Sequence, residues 1–156
     1  MREQIAAHIK EILSTDEAWS LLADGDWMAG GCSMVAFALQ RLLPDAEVVA
    51  VGRRGIPDHL QLRITLDNGE KVHVDASGLH PEGKVVKEYR NSFYEEGEVC
   101  IQRLPPYEDL KEWGMYTPRD REVIGLSTLL DPLRRPLSEI IANGYKEQPN
   151  PKRGEI

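Results

Sequence analysis

Apolar positions recur along the chain with two periods, and the change of period divides it into elements. Over residues 2–13, Ile5, Ala6, Ile9, Ile12 and Leu13 fall on one side of a helix, with Arg2, Glu3, Lys10 and Glu11 largely elsewhere. Ser14-Thr15-Asp16 offers cap chemistry for a second, short helix through Ala18 to Leu22, which the loop Ala23-Asp24-Gly25-Asp26 ends. From near Gly31 to Leu43, where Pro44 stops it, Met34, Val35, Phe37, Ala38, Leu39, Leu42 and Leu43 occupy almost every face of a third helix. A helix apolar on all sides belongs at the centre of a core.

The period then shortens to two. Residues 47–51 read as a buried strand and residues 52–58 as a turn-rich loop. In HLQLRITLDNGEKVHVDASG, which starts at His59, the apolar side chains Leu60, Leu62, Ile64 and Leu66, then Val72, Val74 and Ala76, alternate with polar ones. A two-residue turn at Asn68-Gly69 would set Leu66 against Lys71 and Leu62 against Asp75, mixing the faces. A three-residue loop, Asp67-Asn68-Gly69, with Gly69 left-handed, pairs Leu66 with Glu70, Ile64 with Val72 and Leu62 with Val74. The other face then collects His59, Gln61, Arg63, Thr65, Lys71, His73 and Asp75, with Asp75 opposite Gln61 and diagonal to His59.

Beyond Pro81 the pattern is sparser. Residues 97–104 read as a strand with Val99 and Ile101 inward and Cys100 outward, and residues 106–113 as a short helix. Thr117 as cap and Pro118 in the first turn start a helix through about Leu130, and a last helix over 137–142 ends at Asn143-Gly144. The expectation is one α+β domain over residues 1–146, with a buried helix that starts with a cysteine packed on an antiparallel sheet, extra C-terminal helices, and a flexible tail over 147–156.

Composition narrows the function classes. At 156 residues the chain can bury a core without metals or disulfides, and its two cysteines, far apart and without an export signal, read as free thiols. A formal net charge of −7, with basic residues only in short groups such as Arg53-Arg54, argues against a nucleic-acid partner. No apolar run approaches ~18 residues and no signal-peptide core is present, so a soluble, cytoplasmic protein without a membrane partner is expected. The oligomeric state is left open.

Chemistry concentrates at three positions. Cys32 opens the apolar helix, where unpaired amides and the helix dipole favour a thiolate. Gly30 and Gly31 would let a substrate carbonyl approach the backbone, and the Cys32 amide could donate to an oxyanion. His59 opens a strand as candidate base, and Asp75 on the same hairpin face could bind its far ring nitrogen. Plainer roles fit each residue alone: a small buried hydrophobe for Cys32, a surface residue for His59, a turn cap for Asp75. His73 is the alternative base. His59, His73, Asp75 and His80 include zinc-compatible side chains but match no zinc spacing, and Asp24-Gly25-Asp26 is too short for a calcium loop, so neither metal nor cofactor is expected. Cys100 reads as structural.

In its order Cys32, His59, Asp75, the chain resembles the papain-like and transglutaminase-like cysteine enzymes, in which a cysteine leads a buried helix, a histidine opens one strand and an Asp or Asn sits on the next. VDASG is similar to the strand ending of transglutaminase-like domains, and the GGC of residues 30–32 is similar to the glycines before the nucleophile of arylamine acetyltransferases. The resemblance spans residues 24–78. It implies a papain-like or transglutaminase-like core and a Cys32-His59-Asp75 triad acting on an amide or acyl bond of a peptide or protein substrate, as a peptidase, deamidase or acyl transferase. Where papain carries a glutamine as oxyanion donor, this chain has Asp26, which when ionised cannot donate; Trp27 and Gln61 are the substitutes. The competing expectation is a non-catalytic, acidic protein-binding module.

Overall fold

The computed structural model describes residues 2–22, 25–28, 30–53, 56–93, 99–104 and 110–144. The expected tail over 147–156, Asp24, Arg54, Gly97 and much of the expected helix over 106–113 lie outside the described residues.

The elements run α1 (Arg2–Leu13), α2 (Asp16–Leu21), α3 (Cys32–Leu42), β1 (Glu47–Arg53), β2 (Ile56–Thr65), β3 (Lys71–Asp75), β4 (Gly78–Pro81), α4 (Glu82–Phe93), β5 (Val99–Arg103), α5 (Asp120–Leu130), one 3-10 turn (Asp131–Leu133) and α6 (Arg134–Asn143). The five strands form one antiparallel sheet in the order β4-β3-β2-β1-β5. This is an α+β fold. α3 packs on the sheet, chiefly on β2, and α5 packs on α3. Met34, Val35, Ala38 and Leu39 of α3 meet the apolar sheet face of Leu60, Leu62, Ile64 and Val74 in one core, to which α1 adds Ile5, Ile9 and Leu13.

The hairpin register is the three-residue solution. Leu62 pairs with Val74 and Ile64 with Val72, the Leu66 amide donates to the Glu70 carbonyl at 2.8 Å, and Gly69 takes a φ of 88°. A left-handed φ here costs glycine little, which is why the loop closes in three residues. The turn is tied down from afar: the Asp67 amide donates to the carbonyl of Ile141 in α6 at 2.9 Å.

Several boundaries differ from the expectations. Residues 52–58 are mostly strand, because β1 and β2 stay paired through Gly52–Pro57 and Arg53–Ile56 after a bulge between Val51 and Gly52. α5 is capped two residues later than Thr117, at Arg119, where Glu122 Oε1 accepts both the Arg119 amide at 2.8 Å and the Tyr116 hydroxyl at 2.7 Å. α6 starts at Arg134, with Pro136 in the first turn, where its missing N–H is not needed. Val99, Cys100 and Ile101 are all half-buried, so the expected inward and outward sides of that edge strand are not sharply separated. β4 and α4 have no counterpart among the expectations. α4 touches β3, β4 and β5 and starts with Glu82 against the polar face of the hairpin, which is buried at His59, Gln61, His73 and Asp75 and exposed at Thr65 and Lys71 by the turn.

Candidate active site

Cys32 is the first residue of α3, so its amide has no acceptor within the helix, and no side chain caps that end. The preceding turn is drawn tight by the Gly31 amide, which donates to the Asp26 carbonyl at 2.8 Å, and by the Met28 amide, which donates to Asp26 Oδ1 at 2.9 Å. A Cβ on Gly31 would lie 2.7 Å from Leu22 Cδ1 and 2.8 Å from the Asp26 carbonyl oxygen. The packing of the turn by itself therefore calls for glycine at this position. Gly30 is exposed, with a φ of 100°.

The β2–β3 ladder stops at Leu62 and Val74. Just past its end the His59 side chain and the Leu60 and Ser33 amides lie close enough to the Cys32 sulfur to favour its thiolate. His59 Nε2 lies 2.9 Å from Asp75 Oδ2, which leaves Nδ1 for the sulfur. Cys32 is 7 % exposed, His59 3 % and Asp75 3 %. The three side chains named from the sequence thus meet in one nearly dry cluster.

Electrostatics couples them. Burial pushes the Cys32 thiol up, but the His59 hydrogen bond and charge, with the Leu60 and Ser33 amides, bring it below its ordinary value. Burial pushes His59 down, yet Asp75 and Cys32 raise it from 6.5 to about 9. Asp75 is desolvated, but His59, His80 and Ser77 hold it well below the usual carboxylate range. All three directions favour thiolate, imidazolium and carboxylate over the neutral forms.

Of the expected oxyanion donors, neither aims at the sulfur. The Trp27 indole N–H donates to the Leu13 carbonyl at the end of α1, at 2.8 Å, so this buried ring ties two segments of the fold together. Gln61 Nε2 donates to Asp75 Oδ2 at 2.7 Å, and its Oε1 lies 2.9 Å from His73 Nδ1. The Cys32 amide, at the uncapped start of α3, is a donor at the site.

His73 does not replace His59. It is fully buried on β3, with Nε2 3.1 Å from Glu82 Oε1, and the same oxygen takes Arg63 Nη1 at 3.0 Å. Arg63 also donates to Glu47 Oε1 at 2.7 Å. On the far side of Asp75, Oδ1 accepts the Ser77 amide at 2.9 Å, and the Ser77 hydroxyl bridges to His80 Nε2 at 2.7 Å. Ser77 and Glu82 were not singled out from the sequence as partners of the site. The Asp-Ala-Ser-Gly turn could have flagged Ser77, since an Asp side chain accepts from the amide two residues on; nothing local flags Glu82.

Among the described residues no group of three or more His, Cys, Asp or Glu side chains is arranged to hold a metal ion, and no helix is long and apolar enough to cross a membrane. No family model, curated protein or solved structure matches the chain, so its chemistry is read from its own residues.

Proposed function

We propose that this chain is a cysteine enzyme with a papain-like or transglutaminase-like core that acts on an amide or acyl bond of a peptide or protein. The observation that carries the reading is His59, held at 2.9 Å by Asp75 and buried beside the sulfur that leads α3, whose thiol it draws below its ordinary value. A base fixed on both sides, next to a thiol at a helix N-terminus, is the arrangement that nucleophilic catalysis needs.

The Cys32 thiolate attacks the carbonyl carbon, and the displaced electron pair moves to the oxygen, which faces the Cys32 amide. Collapse breaks the bond to the leaving nitrogen, which takes the proton from His59 Nδ1, and a thioester remains. Water or an amine then attacks the thioester, His59 takes up the proton, and the thiolate leaves. Water gives hydrolysis or deamidation; an amine gives acyl transfer.

The low exposure of Cys32 favours a second reading, a protein-binding module that keeps this core without using it. Alkylation rate against pH separates the two, with Cys100 as internal control. The enzyme reading expects Cys32 to titrate below 9.0, to label faster than Cys100 at neutral pH, and to slow after His59→Ala. Equal and slow labelling of both thiols would leave the binding module.

A further inference from the structure

On the polar face of the sheet the protons can be placed by elimination. Asp75, held below the usual carboxylate range, is ionised and only accepts, so the Gln61 atom 2.7 Å from Oδ2 is its amide nitrogen. The Gln61 carbonyl then faces His73 Nδ1 at 2.9 Å and also only accepts, so Nδ1 carries a proton. On the other edge of the ring, Nε2 faces Glu82 Oε1 at 3.1 Å.

Two carboxylates therefore compete for the single proton of a neutral His73. Glu82 draws it to Nε2; Asp75, acting through Gln61, draws it to Nδ1. With the proton on Nε2, the bare Nδ1 would need an N–H, Gln61 would turn over, and its carbonyl oxygen would meet the Asp75 carboxylate. The more deeply buried acceptor decides, because an unmet buried charge costs more than a half-exposed one. The Asp75 side chain is 4 % exposed, whereas that of Glu82 is 29 % exposed and is already served by Arg63, itself paired with Glu47. His80 lies opposite His73 on β4. Burial pushes His73 below its ordinary value against the pull of Glu82. A second proton taken up in acid lands on Nε2 and leaves Gln61 as it is.

We propose that Gln61 is a positioning residue for the reaction above, and that His73, kept as its Nδ1–H tautomer, locks the Gln61 amide so that it donates to Asp75 and steadies His59 against Cys32. This rests on the cysteine-enzyme reading. The outer members, Glu82, Arg63 and Glu47, anchor the ring from the side away from the sulfur.

The test is the pH profile of Cys32 alkylation by iodoacetamide, per folded molecule, in the wild-type chain and in Gln61→Met, His73→Leu and His73→Asn. Gln61→Met is expected to slow Cys32 about tenfold at neutral pH, since a bond to a charged acceptor that holds Asp75 in place is lost. His73→Leu should behave in the same way. His73→Asn keeps an N–H toward Gln61 and should recover the wild-type rate to within about threefold. Variants that melt earlier but keep the wild-type profile would overturn the proposal, as would His73→Asn matching His73→Leu. Should His73→Leu fail to fold, nitrogen-15 NMR of the wild-type ring decides: a protonated Nδ1 and bare Nε2 above neutral pH support the lock, and the reverse tautomer refutes it. If Cys32 labels no faster than Cys100, the enzyme reading fails, while the tautomer still decides the lock.

Discussion

The charge of Asp75 can be removed with its shape kept, by Asp75→Asn. His59 rises from 6.5 to about 9 in the folded protein, which at 1.36 kcal/mol per pH unit is about 3 kcal/mol in favour of the imidazolium. Burial opposes that rise, so Asp75 and Cys32 together supply more than this net figure. If Asp75 supplies even half, the His59 titration falls by at least about one pH unit in Asp75→Asn, and the imidazolium fraction at pH 8.5 drops about threefold or more. The assay is a nitrogen-15 titration of His59, paired with the alkylation profile of Cys32. Stability gives a second readout with a defined sign. A raised histidine stabilises fully below its unfolded value of 6.5, and that contribution is lost as pH rises through about 9. Cys32, lowered from 9.0, contributes in the opposite direction, so the comparison belongs on a Cys32→Ala background. There, urea midpoints with Asp75 intact should fall as pH rises above 6.5 more steeply than they do once Asp75→Asn is added. A His59 titration that stays at about 9 in Asp75→Asn would refute this, since something other than the carboxylate would then hold the proton on the ring.

Two further substitutions test what the residues beside the thiol do. Gly31→Ala forces a methyl to within 2.7 Å of Leu22 Cδ1 and 2.8 Å of the Asp26 carbonyl, and is expected to cost about 1–3 kcal/mol, several degrees of Tm by calorimetry. An unchanged Tm would show that the turn has room. Trp27→Phe removes the bond to the Leu13 carbonyl and should cost about 1 kcal/mol, with Cys32 labelling within about twofold of wild type. A large loss of rate at constant Tm would return the indole to the oxyanion.

The hairpin and its register were legible because alternation has only two phases, and the Asp67-Asn68-Gly69 loop selects one of them. The same phase put His59, Gln61, His73 and Asp75 on one face, and that face is where the hydrogen-bonded chain runs. What covers the face was not legible. The stretch EGKVVKEYRNSF is mostly polar, and nothing in its own spacing says that Glu82 would land on a histidine nine residues earlier. The glycines before Cys32 were visible, but not what each missing side chain leaves room for. At Gly31 that room is taken by Leu22, which is close only in the folded chain. Local pattern reports period and phase; it does not report which distant segment lies on top.

The bond between the Asp67 amide and the Ile141 carbonyl bears on how the protein matures. The two strands that carry the histidine and the aspartate are joined by a turn whose outer amide waits for a helix that the ribosome makes well after it. A nascent chain halted before that helix holds the thiol, the ring and the carboxylate already synthesised, yet lacks the clasp that closes their hairpin from outside.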